Sequence, residues 1–179
     1  MNTKARILIA GIGNIFHGDD AFGVEVVRAL ERCELPNNVR VKDFGIRSYD
    51  LAYAIADGYD GIILVDATPR GEAPGTLYLM ELDMNRLDEA SDAAINGHSL
   101  NPVSVLQMVR TFDHAKVGPI YLVGCEPEVL ECEDGSMELS DAVANAIPGA
   151  LKMIQRLLKE TFHITIHIGI NLGLAEAAI

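Results

Sequence analysis

Three side chains able to do acid, base or metal chemistry sit beside strand ends or glycine-rich turns: Asp20, Asp66 and His98. Asp20 closes the densest stretch, Gly11-Ile12-Gly13-Asn14-Ile15-Phe16-His17-Gly18-Asp19-Asp20-Ala21-Phe22-Gly23. A glycine turn after a first strand invites a dinucleotide reading, but that fingerprint needs a third glycine where Phe16 stands. No Gly-Lys-Ser/Thr follows, so the turn is not a phosphate-binding loop either. A helix N-terminus attracts anions, yet Asp19 and Asp20 already occupy it and would repel a phosphate. Paired carboxylates there attract a cation instead, or merely cap the helix. Asp19 reads best as the N-cap. Asp20, one residue on, can turn into a cleft, although acids are also common in first helical turns.

Asp66 directly follows the apolar run Ile62–Val65. The C-terminal end of a buried strand is where α/β sheets hold ligands, and the plainer reading is a turn cap. His98 lies in Asn-Gly-His-Ser-Leu-Asn-Pro, a loop just before a helix. A lone loop histidine usually faces solvent, and its rival His17 reads as a lining residue. Together, Asp20, Asp66 and His98 can meet at one sheet edge. Two carboxylates and an imidazole suit a divalent ion such as nickel, zinc or manganese. Three protein ligands would leave coordination positions open, as in a working site. Without a metal, two close carboxylates sharing a proton can do acid/base hydrolysis.

The elements that must position these groups alternate. Ile7–Gly11, Val39–Phe44, Ile62–Val65, Thr76–Leu82 and Ile120–Val123 read as strands. Asp20–Arg32, Tyr49–Ala56, a helix from Asn101-Pro102 to about Phe112, and Leu139–Leu158 read as helices. Ser48, Asn101 and Ser140 are their candidate N-caps, and Pro148 is a candidate kink. This β-α-β-α-β order predicts an α/β domain with an at least partly parallel sheet and helices on both faces. Residues 1–160 form the expected domain, and residues 161–179 a tail.

That tail alternates. Every even position from Phe162 to Leu174 is apolar, which predicts an added edge strand or one that pairs with another subunit. Homo-oligomers are therefore a live expectation. On its other face, His163 and His167 could form a metal pair, but a period-two polar face commonly collects such residues.

Composition limits the partners. A net charge of -12 would repel nucleic acid and anionic membrane surfaces alike. No apolar run approaches the ~18 residues of a spanning helix. Cys33, Cys125 and Cys132 are odd in number and form no Cys-x-x-Cys pair, which points to a reducing compartment. The expected location is the cytoplasm, with no membrane and no nucleic-acid partner.

The same residues resemble the hydrogenase maturation proteases. Gly11-Ile12-Gly13-Asn14 through Gly18-Asp19-Asp20 to Phe22-Gly23 looks like that family's opening signature, and Val65-Asp66-Ala67 like its second acidic position. His98-Ser99-Leu100 with Val105-Leu106 is similar to its histidine segment, and Gly124-Cys125-Glu126-Pro127-Glu128 with Leu139-Ser140 to its closing ones. The likeness runs from about Arg6 to Leu158. Ala21 and Ile46 depart from the family's usual Gly and Thr, and Asp43 beside the latter is a cleft-lining or turn residue. The resemblance implies one domain with a twisted, mostly parallel five-stranded sheet flanked by helices. It implies an endopeptidase that removes the C-terminal extension of a nickel-iron hydrogenase large-subunit precursor. Asp20, Asp66 and His98 match the residues that contact nickel, an ion the loaded precursor supplies and that signals completed loading. Another divalent cation could take its place in the isolated protein. Asp20 and Asp66 are the expected catalytic groups, assisting water. A non-cleaving nickel-dependent chaperone would share every ligand, and a nucleotide-using α/β enzyme is the third reading.

Overall fold

The computed structural model describes residues 5–86, 102–112, 116–130 and 138–168. Five strands form one sheet: β1 (Ile7–Ile12), β2 (Val39–Gly45), β3 (Gly61–Ala67), β4 (Leu77–Leu82) and β5 (Ile120–Cys125). Their spatial order is β2-β1-β3-β5-β4. The pairs β1–β2, β1–β3 and β3–β5 are parallel, and β4 runs antiparallel to β5 at the edge. Every residue of β1 and β3 is buried, because both strands lie mid-sheet with helices on each face. That double cover explains why they read as unbroken apolar runs rather than alternating ones.

Two apolar clusters fill the two faces. Odd-numbered β3 residues, Ile63 and Val65, pack with helices α1 (Phe22–Glu31) and α4 (Asp141–Phe162). Even-numbered ones, Ile62 and Leu64, pack with α2 (Ser48–Ala56) and α3 (Pro102–Arg110). The single domain, its mostly parallel sheet and its helices on both faces are as expected. Element ends shift slightly. Ser48 is the first residue of α2 rather than its N-cap, a position taken by Arg47 without a side-chain cap. Ser140 does cap α4, its Oγ accepting from the Val143 N–H. The candidate cap Asn101 lies outside the described residues.

Helix α4 runs as one element through Pro148. Proline removes the hydrogen bond to the carbonyl of Ala144. Both residues are on the exposed face, where water can replace it. The tail departs from expectation. Phe162 ends α4, and His163 turns the chain in a left-handed conformation with φ 55°. The alternation then holds: Ile164 and Ile166 are buried in the α1/α4 cluster, while His163, Thr165 and His167 are exposed. Yet no sixth strand forms among the described residues. The segment makes one antiparallel bridge, His167 to Glu34, and the Ile166 carbonyl accepts from Gln155 Nε2 at 2.7 Å. Packing on the helices satisfies its apolar face without a sheet edge. Residues 169–179 lie outside the described residues.

Candidate active site

Helix α1 lies on one face of the sheet and α2 on the other, so the chain changes sides between β1 and β3. At such a switch point the connections diverge and leave a crevice at the C-terminal strand ends. Three glycines let the chain close over it. A Cβ on Gly23 would fall 2.1 Å from the Val65 carbonyl oxygen and 2.4 Å from that of Ile12. A Cβ on Gly13, where φ is 128°, would fall 1.7 Å from the Asp20 carbonyl oxygen. A Cβ on Gly11 would meet the Gly23 carbonyl oxygen at 2.5 Å. In nucleotide-binding turns glycines admit a pyrophosphate. Here they admit the protein's own backbone, and Asp20 fills the space.

Asp20 sits in the 3-10 turn Gly18–Ala21 that leads into α1, and it is buried. Its Oδ2 accepts from the Asn14 N–H at 2.6 Å, which draws the carboxylate back over the turn. Asp66 is buried at the end of β3. By strand alternation it points to the α2/α3 face, as Ile62 and Leu64 do. Burial pushes the Asp66 carboxyl well above the usual carboxylate range; the negative charge of Asp20 pushes it further, and the Ala67 N–H opposes both. Asp20 is raised too, chiefly by burial, against the Asn14 N–H and the charge of His17. Asp66 thus feels the charge of Asp20 at the crevice. Such a pair holds a proton where a lone aspartate would not, and it can equally bind a cation that displaces that proton.

His98 lies outside the described residues. Pro102, four positions later, starts α3 on the face of the sheet to which Asp66 points. Among the described residues no three His, Cys, Asp or Glu groups form a metal cluster. His163 and His167 are exposed beside the α4 C-terminus, in the described part of the tail. His17, read as a lining residue, is exposed, and its charge bears on Asp20. Asp43 approaches Arg28 Nη2 of α1 at 3.8 Å, and its carbonyl accepts from Arg47.

Asp19 is not the N-cap that its position suggests. Neither the 3-10 turn nor α1 has a side-chain cap. Instead the Asp19 carboxylate, fully buried, accepts from Glu128 N, Val129 N, Ser140 N and Ser140 Oγ at 2.7–3.0 Å. It fastens the turn carrying Asp20 to the segment after β5 and to the start of α4. No local pattern announces this, because its donors lie more than a hundred residues away. Glu126 was also missed as an anchor. Its buried carboxylate accepts from Arg70 N, Gly71 N and the Tyr78 hydroxyl, and so pins the loop that follows Asp66. Burial alone would raise Glu126, but the Tyr78 hydroxyl and the loop N–H groups outweigh it and hold the carboxyl below its ordinary value.

The family model for hydrogenase maturation proteases matches residues 24–157, a span that holds Asp66 and His98 and begins just past Asp20. The hydrogenase 2 maturation protease of Escherichia coli is 35% identical over 155 residues, covering 83% of this chain and 88% of that one. The coenzyme F420 hydrogenase subunit delta of Methanothermobacter thermautotrophicus is 31% identical over 161 residues, 86% of this chain and 95% of its own. Among solved structures, the hydrogenase maturating endopeptidase HybD from E. coli superposes with a TM-score of 0.74 at 33% identity, over 87% of this chain and 93% of that one. The nickel-iron hydrogenase maturation protease HycI from Thermococcus kodakarensis gives 0.69 at 26%, over 88% and 95%. With a buried carboxylate pair at the switch point and matches that span most of its length, the chain belongs to the hydrogenase maturation protease family.

Proposed function

We propose that this protein is an endopeptidase that removes the C-terminal extension of a nickel-iron hydrogenase large-subunit precursor once that precursor carries nickel. The observation that carries the reading is the pairing of Asp20 and Asp66 in one crevice, both raised by burial and Asp66 further by its partner. Buried carboxylates without enough donors are costly to maintain and cluster at functional sites. Asp20, Asp66 and His98 would fill open positions on the precursor's own nickel, a bond that an empty precursor cannot offer. Another divalent cation is expected to bind the same residues in the isolated protein. Asp20 or Asp66 would then take the proton of the water that attacks the peptide carbonyl. The partner is the precursor, and the acidic surface argues against nucleic acid or anionic membrane. No helix among the described residues is long and apolar enough to cross a membrane. The reducing compartment indicated by the cysteines suits a cytoplasmic enzyme.

The test is cleavage. Purified protein is mixed with its host's precursor, nickel-loaded and nickel-free, and the products are weighed by mass spectrometry. Loss of a C-terminal peptide from the loaded form alone is the expected result. Binding without a cut in either sample would favour a non-cleaving chaperone.

A further inference from the structure

Six large apolar side chains are exposed among the described residues, and four of them share one region: Phe16, Ile46, Tyr49 and Tyr53, at 59%, 61%, 67% and 64%. The topology sets that region beside the crevice. Phe16 lies in the connection that follows β1, and Ile46 in the turn between β2 and α2. The Gly13 N–H donates to the Gly45 carbonyl at 3.1 Å, which ties these two connections side by side at the C-terminal strand ends. Phe16 also shares a turn with the hydrogen bond that holds Asp20. Its N–H donates to Asn14 Oδ1 at 3.0 Å, while the Asn14 N–H donates to Asp20 Oδ2. Tyr49 and Tyr53 are one helical turn apart on α2 and so share its outer side. Tyr53 stacks on Phe112 with ring centroids 5.1 Å apart. The charges in this stretch answer one another: Arg47 Nε approaches Asp50 Oδ2 at 3.5 Å.

Single exposed apolar residues are ordinary, but a set that runs from the rim of a crevice along one helix marks an interaction surface. The crevice itself says what lies there. A peptide whose scissile bond reaches Asp66 continues across the strand ends. Neighbouring strands are ~4.8 Å apart, so the turn after β2 is about 10 Å from the end of β3, the span of about three extended residues. A second copy seated on Phe16 would cover the turn that grips Asp20, so the occupant that leaves the site working is the substrate. We propose that Phe16, Ile46, Tyr49 and Tyr53 form the docking surface for the precursor, taking apolar side chains that begin about three residues from the bond to be cut. The inference rests on the peptidase reading of the crevice.

Ile46→Ser and Tyr49→Ser remove apolar surface without touching the carboxylates. With nickel-loaded precursor, each is expected to raise KM about 5- to 10-fold with kcat within about twofold, because the contact is the same in the bound and transition states. The double variant should raise KM by about 30-fold or more. The melting temperature should hold, since both side chains are exposed. Leu79→Ser, at an exposed apolar position on β4, is the control and should leave KM unchanged. Unchanged KM in the double variant overturns the proposal, and so does an equal rise in Leu79→Ser. A wild-type dimer that the double variant turns into monomer in analytical ultracentrifugation, with KM unchanged, overturns it in favour of a second copy. Calorimetric titration of wild type and the double variant with precursor separates the two readings. Weaker binding by the double variant, where wild type binds but cuts nothing, rejects the peptidase reading and keeps the docking surface. Equal binding, where wild type cuts, rejects the docking surface alone. A wild type that neither binds nor cuts overturns both.

Discussion

Four carboxylates are buried among the described residues, and they divide into two unlike pairs: Asp19 with Glu126, and Asp20 with Asp66. The first pair is saturated. Asp19 accepts four hydrogen bonds, and Glu126 is wrapped by loop N–H groups and the Tyr78 hydroxyl. Among the described residues the second pair has fewer donors: Asp20 has the Asn14 N–H, Asp66 has the Ala67 N–H, and the charge of Asp20 raises Asp66 further. Burial raises all three shifted carboxyls, and only at Glu126 do the donors outweigh it. Glu126 is held below its ordinary value, while Asp20 and Asp66 are raised. Burial of charge therefore does not by itself mark a site. Buried charge with few donors is the better marker, because a ligand or a proton can then serve as its partner.

The contrast makes opposite predictions for the two pairs. Asp66→Asn has the largest expected effect: cleavage falls by at least about 100-fold, the usual scale for losing an acid/base group. The same variant should be more stable than wild type near neutral pH. The sign follows from linkage. The folded Asp66 binds its proton more tightly than the unfolded one, so stability falls as pH rises from the ordinary carboxylate range towards the raised folded value. Asparagine does not ionise, so its melting-temperature advantage should be present above that window and vanish below the ordinary carboxylate range. A variant both inactive and less stable at neutral pH would break the distinction between the pairs.

Asp19→Ala should do the reverse and cost about 3 kcal/mol or more in chemical denaturation, because four donors lose their acceptor in a dry site. A loss under about 1 kcal/mol would show that water replaces the carboxylate readily. Glu126→Gln comes next, at about 1–2 kcal/mol, since the amide retains one acceptor oxygen but not the charge. Tyr78→Phe has the smallest effect, a lower denaturation midpoint by less than Glu126→Gln, because it removes one hydroxyl from a half-exposed ring. Tyr78 also ionises late, with burial first and then Glu126 pushing its hydroxyl to about 12. An ultraviolet titration should show Tyr78 and Tyr121 ionising above the ordinary range, Tyr121 raised by burial and then by Glu81, and Glu126→Gln should bring only the Tyr78 component back towards that range.

Much of this was legible one residue at a time. The runs Ile7–Gly11 and Ile62–Val65 announced central strands because a strand covered on both faces needs apolar residues at every position. Asp66 was legible for the same reason, as the first charge where that run ends. Ser140 was legible as a cap, since its hydroxyl bonds the N–H three residues on. Such features depend on neighbours in the chain, and neighbours in the chain are what a sequence records.

Tertiary structure alone decided the rest. Adjacent in sequence, Asp19 and Asp20 look interchangeable, and local rules assigned Asp19 to a cap. Packing sent Asp19 to Ser140, and Asp20 to the crevice, because the 3-10 turn points consecutive side chains in different directions. The tail's alternation correctly showed which side chains face inward, but not that helices rather than a sheet edge would receive them. Glu126 acquires its meaning only when β3, β4 and β5 lie side by side. The sequence by itself determined which groups are apolar, charged or flexible, and hence the elements. Which donors reach each buried carboxylate depends on segments brought together across the whole chain, and among the described residues that difference separates the anchors from the site.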